Sequence, residues 1–220
     1  MTHDTGAQLW ILVPRVLVPL SPRPRAPDGT TPAAIMSAMP GFFTGDGDDG
    51  STGLLGPGRI PKHHPRAEAI GSLDEAAAAL GLARALVDDS SLQAILQTMQ
   101  RHLYQVMAEV AAPGENAARF RAIGEDQVAW LEAEIDRLSD EVDMPTGFLL
   151  GGESVAGGAL DLARTVVRRA ERRVARLVDQ REVENRQLLR YLNRASSLCF
   201  LLILVSYRRT GISPTMAKEG

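Results

Sequence analysis

From Ser72 almost to the end of the chain, apolar residues recur three and four positions apart, a spacing that keeps them on one side of a helix. A helix opening at Ser72, whose hydroxyl forms a capping box with Glu75, places Ala76, Leu80, Ala83 and Val87 on one face. A second, capped by Ser90 and Gln93, carries Leu92, Ile95, Met99, Leu103, Val106 and Val110, and Ala112-Pro113-Gly114 stops it. The third runs from Glu125, whose acid beside Asp126 suits a helix N-terminus, through Val128, Leu131, Ile135, Leu138 and Val142. Met144-Pro145-Thr146-Gly147 then breaks the chain. Leu160, Ala163, Val167, Ala170, Val174 and Leu177 mark a fourth helix, and Leu188, Leu192, Ala195, Cys199 and Leu202 a fifth. No segment sustains period-two alternation, so few or no strands are expected. The pattern predicts an all-α fold, a five-helix up-and-down bundle of the ferritin-like kind.

The 220 residues are 45% hydrophobic, enough for one domain with a real core. A net charge of −3 argues against a general binder of nucleic acid or anionic membrane. One cysteine, Cys199, excludes an internal disulfide, and no metal-binding cluster is evident. It reads as core packing in the apolar run Leu198–Val205, a run far short of the ~18 residues of a membrane span. Residues 1–39 differ in character. Leu9–Leu20 is apolar but broken by Pro14, Arg15 and Pro19, and Ser21–Pro32 is crowded with proline. This segment is expected to be a disordered tail or an upstream extension of a start at Met36 or Met39, with the bundle domain in residues 40–220.

Four segments carry polar residues that a bundle does not require. The loop from Phe43 to Gly53 is rich in glycine and hydroxyls, which lets backbone N–H groups approach an anion; a flexible acidic linker has the same composition. It lacks the ligand spacing of a calcium loop and the Gly-Lys-Ser/Thr of a Walker loop. Arg59 to Arg66 is basic, and Lys62 and Arg66 are candidates for phosphate, while the neighbours His63 and His64 make a poor metal site. Arg164, Arg168 and Arg172 recur every fourth residue as one stripe, either a solvated or intersubunit face or a row of guanidinium groups suited to polyphosphate. Finally, Asn193 and Arg194 put an amide and a guanidinium on an otherwise apolar helix.

Taken in order, these pieces resemble the ATP:cob(I)alamin adenosyltransferases of the trimeric, propanediol-utilisation (PduO-like) type, from about Pro40 onward. The resemblance rests on Gly47-Asp48-Asp49-Gly50-Ser51-Thr52, on Arg66 through Gly71-Ser72-Leu73-Asp74-Glu75, and on Phe148 before the pair Gly151-Gly152. It also rests on Ala163-Arg164-Thr165 through Arg168-Arg169-Ala170-Glu171-Arg172, and on Leu192-Asn193-Arg194. It implies a cytoplasmic homotrimer with an active site at each subunit interface. Thr44, Gly47, Ser51 and Thr52 would wrap ATP; Lys62 and Arg168 would meet its triphosphate with Mg²⁺; Glu171, Arg172 and Asn193 would complete the nucleotide site. Asp74 would pair with Arg164 of a neighbouring subunit, and Phe148 would sit under the corrin ring and exclude its lower ligand. The implied substrate is cob(I)alamin made from cob(II)alamin by a flavoprotein or similar reductase, and an adenosylcobalamin-dependent enzyme would receive the product.

Three positions depart from the family pattern. Gly45 stands where a Lys or Arg is usual, Asp46 where an acid is uncommon, and Leu149-Leu150 precedes the glycine pair in place of the usual proline. Losing one charge-assisted contact costs roughly 1.5–3 kcal/mol, or about ten- to a hundredfold in affinity, so weakened ATP binding is expected. Two other classes compete: a helical protein that binds or carries corrinoid without turnover, and an RNA-binding or scaffold bundle using the arginine stripe.

Overall fold

In the computed structural model, residues 45–218 are described, and they divide into two compact units, one ending at Lys62 and the other beginning at His63. The expected tail over 1–39 and the candidate Thr44 lie outside the described residues.

The first unit is a hairpin that the sequence pattern does not announce. Strands β1 (Ser51–Leu54) and β2 (Gly56–Pro61) pair antiparallel, with Thr52 opposite Ile60 and an irregularity between Gly53 and Leu54. Four residues with one exposed glycine are too few for a readable alternation, and this one small hairpin agrees with the expectation of few or no strands. Two turns lead into it: Asp48 N–H donates to the Gly45 carbonyl at 2.9 Å and Gly50 N–H to the Gly47 carbonyl at 3.1 Å. Gly45 and Gly50 have φ of 75° and 80°, the left-handed region that glycine enters without a steric penalty.

The second unit is the expected bundle: α1 (Pro65–Leu86), α2 (Ser90–Ala111), a 3₁₀ turn (Gly114–Phe120), α3 (Glu125–Ser139), α4 (Val155–Asp179) and α5 (Gln187–Thr210). Cross-helix bonds give the directions. Glu68 meets Arg173 and Glu75 meets Arg169, so α1 and α4 are antiparallel; Glu125 meets Arg190 and Glu141 meets Arg209, so α3 and α5 are parallel. That is the sense of an up-and-down chain in which α4 returns between α3 and α5.

Two helix starts differ from the sequence reading. α1 opens at Pro65, seven residues before Ser72, with the His64 Nδ1 accepting from the Arg66 N–H at 3.1 Å. Proline at the first helical position lacks only an N–H that would be unbonded anyway. Ser72 is buried inside the helix and its hydroxyl donates back to the Glu68 carbonyl at 2.9 Å, a bond open to any mid-helix serine. The cap of α2 is Asp89, which accepts from the Ser91 and Leu92 N–H groups, not Ser90.

α5 fills the middle. Its run from Leu198 to Tyr207 is buried except for the half-buried Phe200, and Cys199 lies within it, its thiol pushed up to about 12 by burial. By length and hydropathy this helix is apolar enough to cross a membrane, contrary to the reading of its short apolar core. Two thirds of that window is buried within the bundle, as in a core helix. α4 and α5 touch closely where Gly157 faces Tyr207: a Cβ there would stand 2.4 Å from the ring.

The end of α5 is clamped by Arg209. It donates to Asp89 at 2.7 Å, to Ser91 at 2.9 Å and twice to Glu141. Bonds from Ser91, with Arg209 assisting, hold the Asp89 carboxyl at about 2 against an ordinary 3.8. Because the folded value is depressed, this contribution to stability is fully present above pH ~4 and vanishes as pH falls toward 2. Arg209→Ala is expected to cost about 1–3 kcal/mol and lower Tm by roughly 3–10 °C at neutral pH. The gap from wild type, read by calorimetry, should close between pH 4 and 2; a pH-independent gap would assign the loss to packing alone.

Candidate functional site

In the hairpin unit the loop residues and Lys62 converge. Lys62 N–H donates to the Gly50 carbonyl at 2.8 Å, closing the loop onto the end of β2. Its side chain folds over Gly47, where a Cβ would stand 2.9 Å from Nζ and 3.2 Å from Cε. Glycine at 47 therefore lets an ammonium group lie directly on the loop backbone. Arg59 braces the same turn, Nε donating to the Ser51 hydroxyl at 2.7 Å and Nη2 to the carbonyls of Ser51 and Asp46. Asp49 accepts from the Ser51 N–H and hydroxyl, and these bonds, with Arg59 and Lys62 nearby, hold its carboxyl below the usual range. Ser51 and Thr52 sit in β1, half-exposed. Ser51 is bonded within the loop, which the sequence did not foretell.

In the bundle unit α4 sorts its arginines into two rows. Arg169 pairs with Glu75, and Arg173 with Glu68 at 3.0 Å, tying α4 to α1. The other row, Arg164, Arg168 and Arg172, faces away from those pairs, as a spacing of four separates rows offset by one residue. Arg172 donates to the Arg168 carbonyl at 3.1 Å, and the Arg168 guanidinium has no ion pair among the described residues. Glu171 and Asn193 meet across α4 and α5, Nδ2 donating to Oε1 at 3.2 Å. Thus Arg168, Glu171, Arg172 and Asn193 are gathered on neighbouring helices.

Arg164 bonds its own helix, Nε donating to Asp161 at 2.8 Å. Asp74 is half-buried on α1, its carboxyl raised by burial and by the charge of Glu75. The two are not bonded within one chain. Phe148 lies in the loop between α3 and α4 with 89% of its surface exposed. Its backbone is held firmly: the Ala217 N–H donates to the Phe148 carbonyl at 2.7 Å, and Leu150 N–H to the Thr215 carbonyl at 2.9 Å. Met144, Leu150 and Val155 are exposed in the same stretch. An apolar ring held out by a fixed backbone marks a contact surface rather than a loose loop.

Two sequence candidates serve the fold instead. Arg66 is buried, donating to the carbonyls of Val110 at 2.6 Å and Glu182 at 2.7 Å and pairing with the Glu182 carboxylate at 3.3 Å. It is unavailable to phosphate. His64 is the α1 cap, so the doubtful histidine pair resolves as helix chemistry. Sequence reading missed the polar cluster beside Arg66, in which Asn185 bonds Glu109 and the Ile123 carbonyl, and Arg121 approaches Glu109 at 3.6 Å. Burial raises the Glu109 carboxyl. No periodic signal marks these residues, since three of the four come from helix ends and loops.

Arg168 and Arg172, with no ion pair among the described residues, and the exposed, anchored Phe148 stand apart from the contacts that hold the bundle together. The chain belongs to the cobalamin adenosyltransferase family, whose sequence profile matches residues 42–206. It is 40% identical over 163 residues to the corrinoid adenosyltransferase PduO of Salmonella typhimurium, covering 73% of this chain and 48% of that one. The chain therefore spans about half the length of the PduO relatives it matches. With the corrinoid adenosyltransferase of Bacillus subtilis it shares 37% identity over 175 residues, 78% of this chain and 89% of that one. Among solved structures, it matches a phenylalanine-to-alanine variant of a PduO-type ATP:corrinoid adenosyltransferase from Lactobacillus reuteri, complexed with cobalamin and ATP. The TM-score is 0.74 and the identity 28%, over 80% of this chain and 99% of that one.

The two arginine rows predict different stabilities. Arg168→Ala should leave Tm within about 2 °C, whereas Arg169→Ala with Arg173→Ala should lower it by roughly 1–6 °C, since exposed pairs contribute about 0.2–1 kcal/mol each. Thermal melts showing equal losses would place Arg168 in the bundle's own bonding.

Proposed function

We propose that the protein transfers the 5′-deoxyadenosyl group of ATP to the cobalt of cob(I)alamin, forming adenosylcobalamin and releasing triphosphate. The observation that carries this reading is the cationic row of Arg168 and Arg172 beside the Glu171–Asn193 bond, on a face the bundle does not use. The relatives' names and the ligands of the solved structure support it.

Cob(I)alamin is itself a strong nucleophile, so the protein needs no general base. The cobalt electron pair attacks C5′ of the ribose, a Co–C bond forms, and the C5′–O bond breaks with its pair departing on triphosphate. Lys62, Arg168 and Arg172 stabilise that departing charge, and Thr44, Gly47, Ser51 and Thr52 enclose the nucleotide. Glu171 and Asn193 orient it against the corrinoid. Among the described residues no group of three His, Cys, Asp or Glu is placed to hold a metal. Mg²⁺ would therefore ride on triphosphate oxygens and water, neutralising charge there.

The working form is a homotrimer in which Asp74 pairs with Arg164 of a neighbouring subunit, so that residues from two subunits complete each site. A half-buried carboxyl, raised by burial and by the charge of Glu75 and with no ion pair among the described residues, supports that pairing. Phe148 packs beneath the corrin ring and keeps the lower axial ligand away, which favours reduction of cob(II)alamin by a flavoprotein or similar reductase. The bundle domain over residues 40–220 works in the cytoplasm and passes its product to an adenosylcobalamin-dependent enzyme.

At Gly45 the backbone φ of 75° favours glycine. Restoring a family-like lysine there would add charge but also about 1–2 kcal/mol of backbone strain.

Purified protein given ATP, Mg²⁺ and chemically reduced cobalamin should produce the absorbance spectrum of adenosylcobalamin; corrinoid binding without turnover would favour the carrier reading and sink this one. Phe148→Ala should slow turnover at least tenfold from cob(II)alamin with reductant, and much less from pre-formed cob(I)alamin. Equal losses from both starting states would remove the ligand-excluding role.

A further inference from the structure

The amide of Asn193 has two nearly isosteric ends, and only its hydrogen-bond partners decide which way it points. One end is set by Glu171, whose carboxylate accepts from Nδ2 at 3.2 Å. The other is set by Arg194: its Nη1, a donor only, lies 3.0 Å from the Asn193 Oδ1. Arg194 is fixed in turn by α3, where its Nε donates to Glu132 Oε1 at 3.2 Å. Glu132, Arg194, Asn193 and Glu171 thus form one directed chain of bonds across α3, α5 and α4.

We infer that Arg194, anchored by Glu132, is a positioning residue that fixes the orientation of the Asn193 amide at the nucleotide site. The inference rests on the reading of Asn193 as a nucleotide contact. In the observed orientation one N–H and one oxygen lone pair of the amide remain for a ligand, in defined places. Without Arg194 the Oδ1 end loses the cationic partner it has among the described residues, and the Glu171 bond alone is left to oppose a flip. A flipped amide turns its oxygen toward the Glu171 carboxylate, which breaks that bond and presents the nucleotide with donor and acceptor exchanged. The geometry needs a guanidinium. One planar fork uses Nε for Glu132 and Nη1 for Asn193, whereas a lysine offers a single nitrogen. Arg194 is suited to this role because only part of its side chain is exposed, with Glu132 behind it.

The test is a double-mutant cycle on ATP affinity, measured by calorimetry, alongside steady-state turnover and a thermal melt of each variant. Arg194→Ala should weaken ATP binding by about three- to thirtyfold, and Arg194→Lys should not rescue it. Arg194→Ala placed in an Asn193→Ala background should add less than twofold, because the residue acts through the amide. Glu132→Ala should reproduce part of the loss, while Glu132→Gln, which keeps an acceptor for Nε, should stay within about threefold of wild type. Independent, multiplying effects of Arg194→Ala and Asn193→Ala would overturn the inference, as would full rescue by lysine. A wild-type protein that binds ATP but forms no adenosylcobalamin would count against the proposed reaction and leave this cycle readable.

Discussion

The burial of α5 is the constraint from which the rest of the bundle follows. Its run from Leu198 to Tyr207 is enclosed by neighbouring helices, and a charge in that stretch would have to be desolvated without a partner. The charged side chains of α5 all lie outside that run. Asn193 and Arg194 emerge between α3 and α4, and Arg209 emerges where α2 begins and α3 ends. The same crowding demands Gly157 on α4, whose missing side chain admits Tyr207. Of these places, the one holding Asn193 lies beside Glu171 of α4.

α4 solves a related problem with one residue type. Arg169 and Arg173 bind carboxylates of α1, while Arg168 and Arg172, each one position earlier, point elsewhere. A hundred degrees of helical rotation per residue separates the face tied to α1 from its neighbour without any change in composition. Exposed ion pairs contribute little individually, so the tie between α1 and α4 rests mainly on their apolar seam, and the pairs fix its register.

The five helices were legible because spacings of three and four need no tertiary context; α3 opens at Glu125 as read, and the apolar positions marked for α4 and α5 fall inside their observed bounds. The start of α1 was not, since Ser72 and Glu75 imitate a capping box that the earlier His64-Pro65 makes unnecessary. The hairpin escaped because its strands are short and glycine-rich, and only its pairing reveals them. Arg66 illustrates the deeper difficulty. A basic residue near a glycine-rich loop looks like a phosphate ligand, and only the carbonyls of Val110 and Glu182, distant in sequence, show that it is structural. The stripe of Arg164, Arg168 and Arg172 was visible in the sequence, but its contrast with Arg169 and Arg173 needed the carboxylates of α1 to appear.

The loop bearing Phe148 is joined to a segment more than sixty residues downstream, through bonds to Thr215 and Ala217. All five helices are complete by Thr210, so during synthesis the bundle can assemble before this loop has anything to lean on. Presentation of the ring then waits until Thr215 and Ala217 have been made. A product cut just after α5 would keep its helices yet lack the brace behind Phe148, so the fold of the bundle and the placement of this ring are secured by separate stretches of chain.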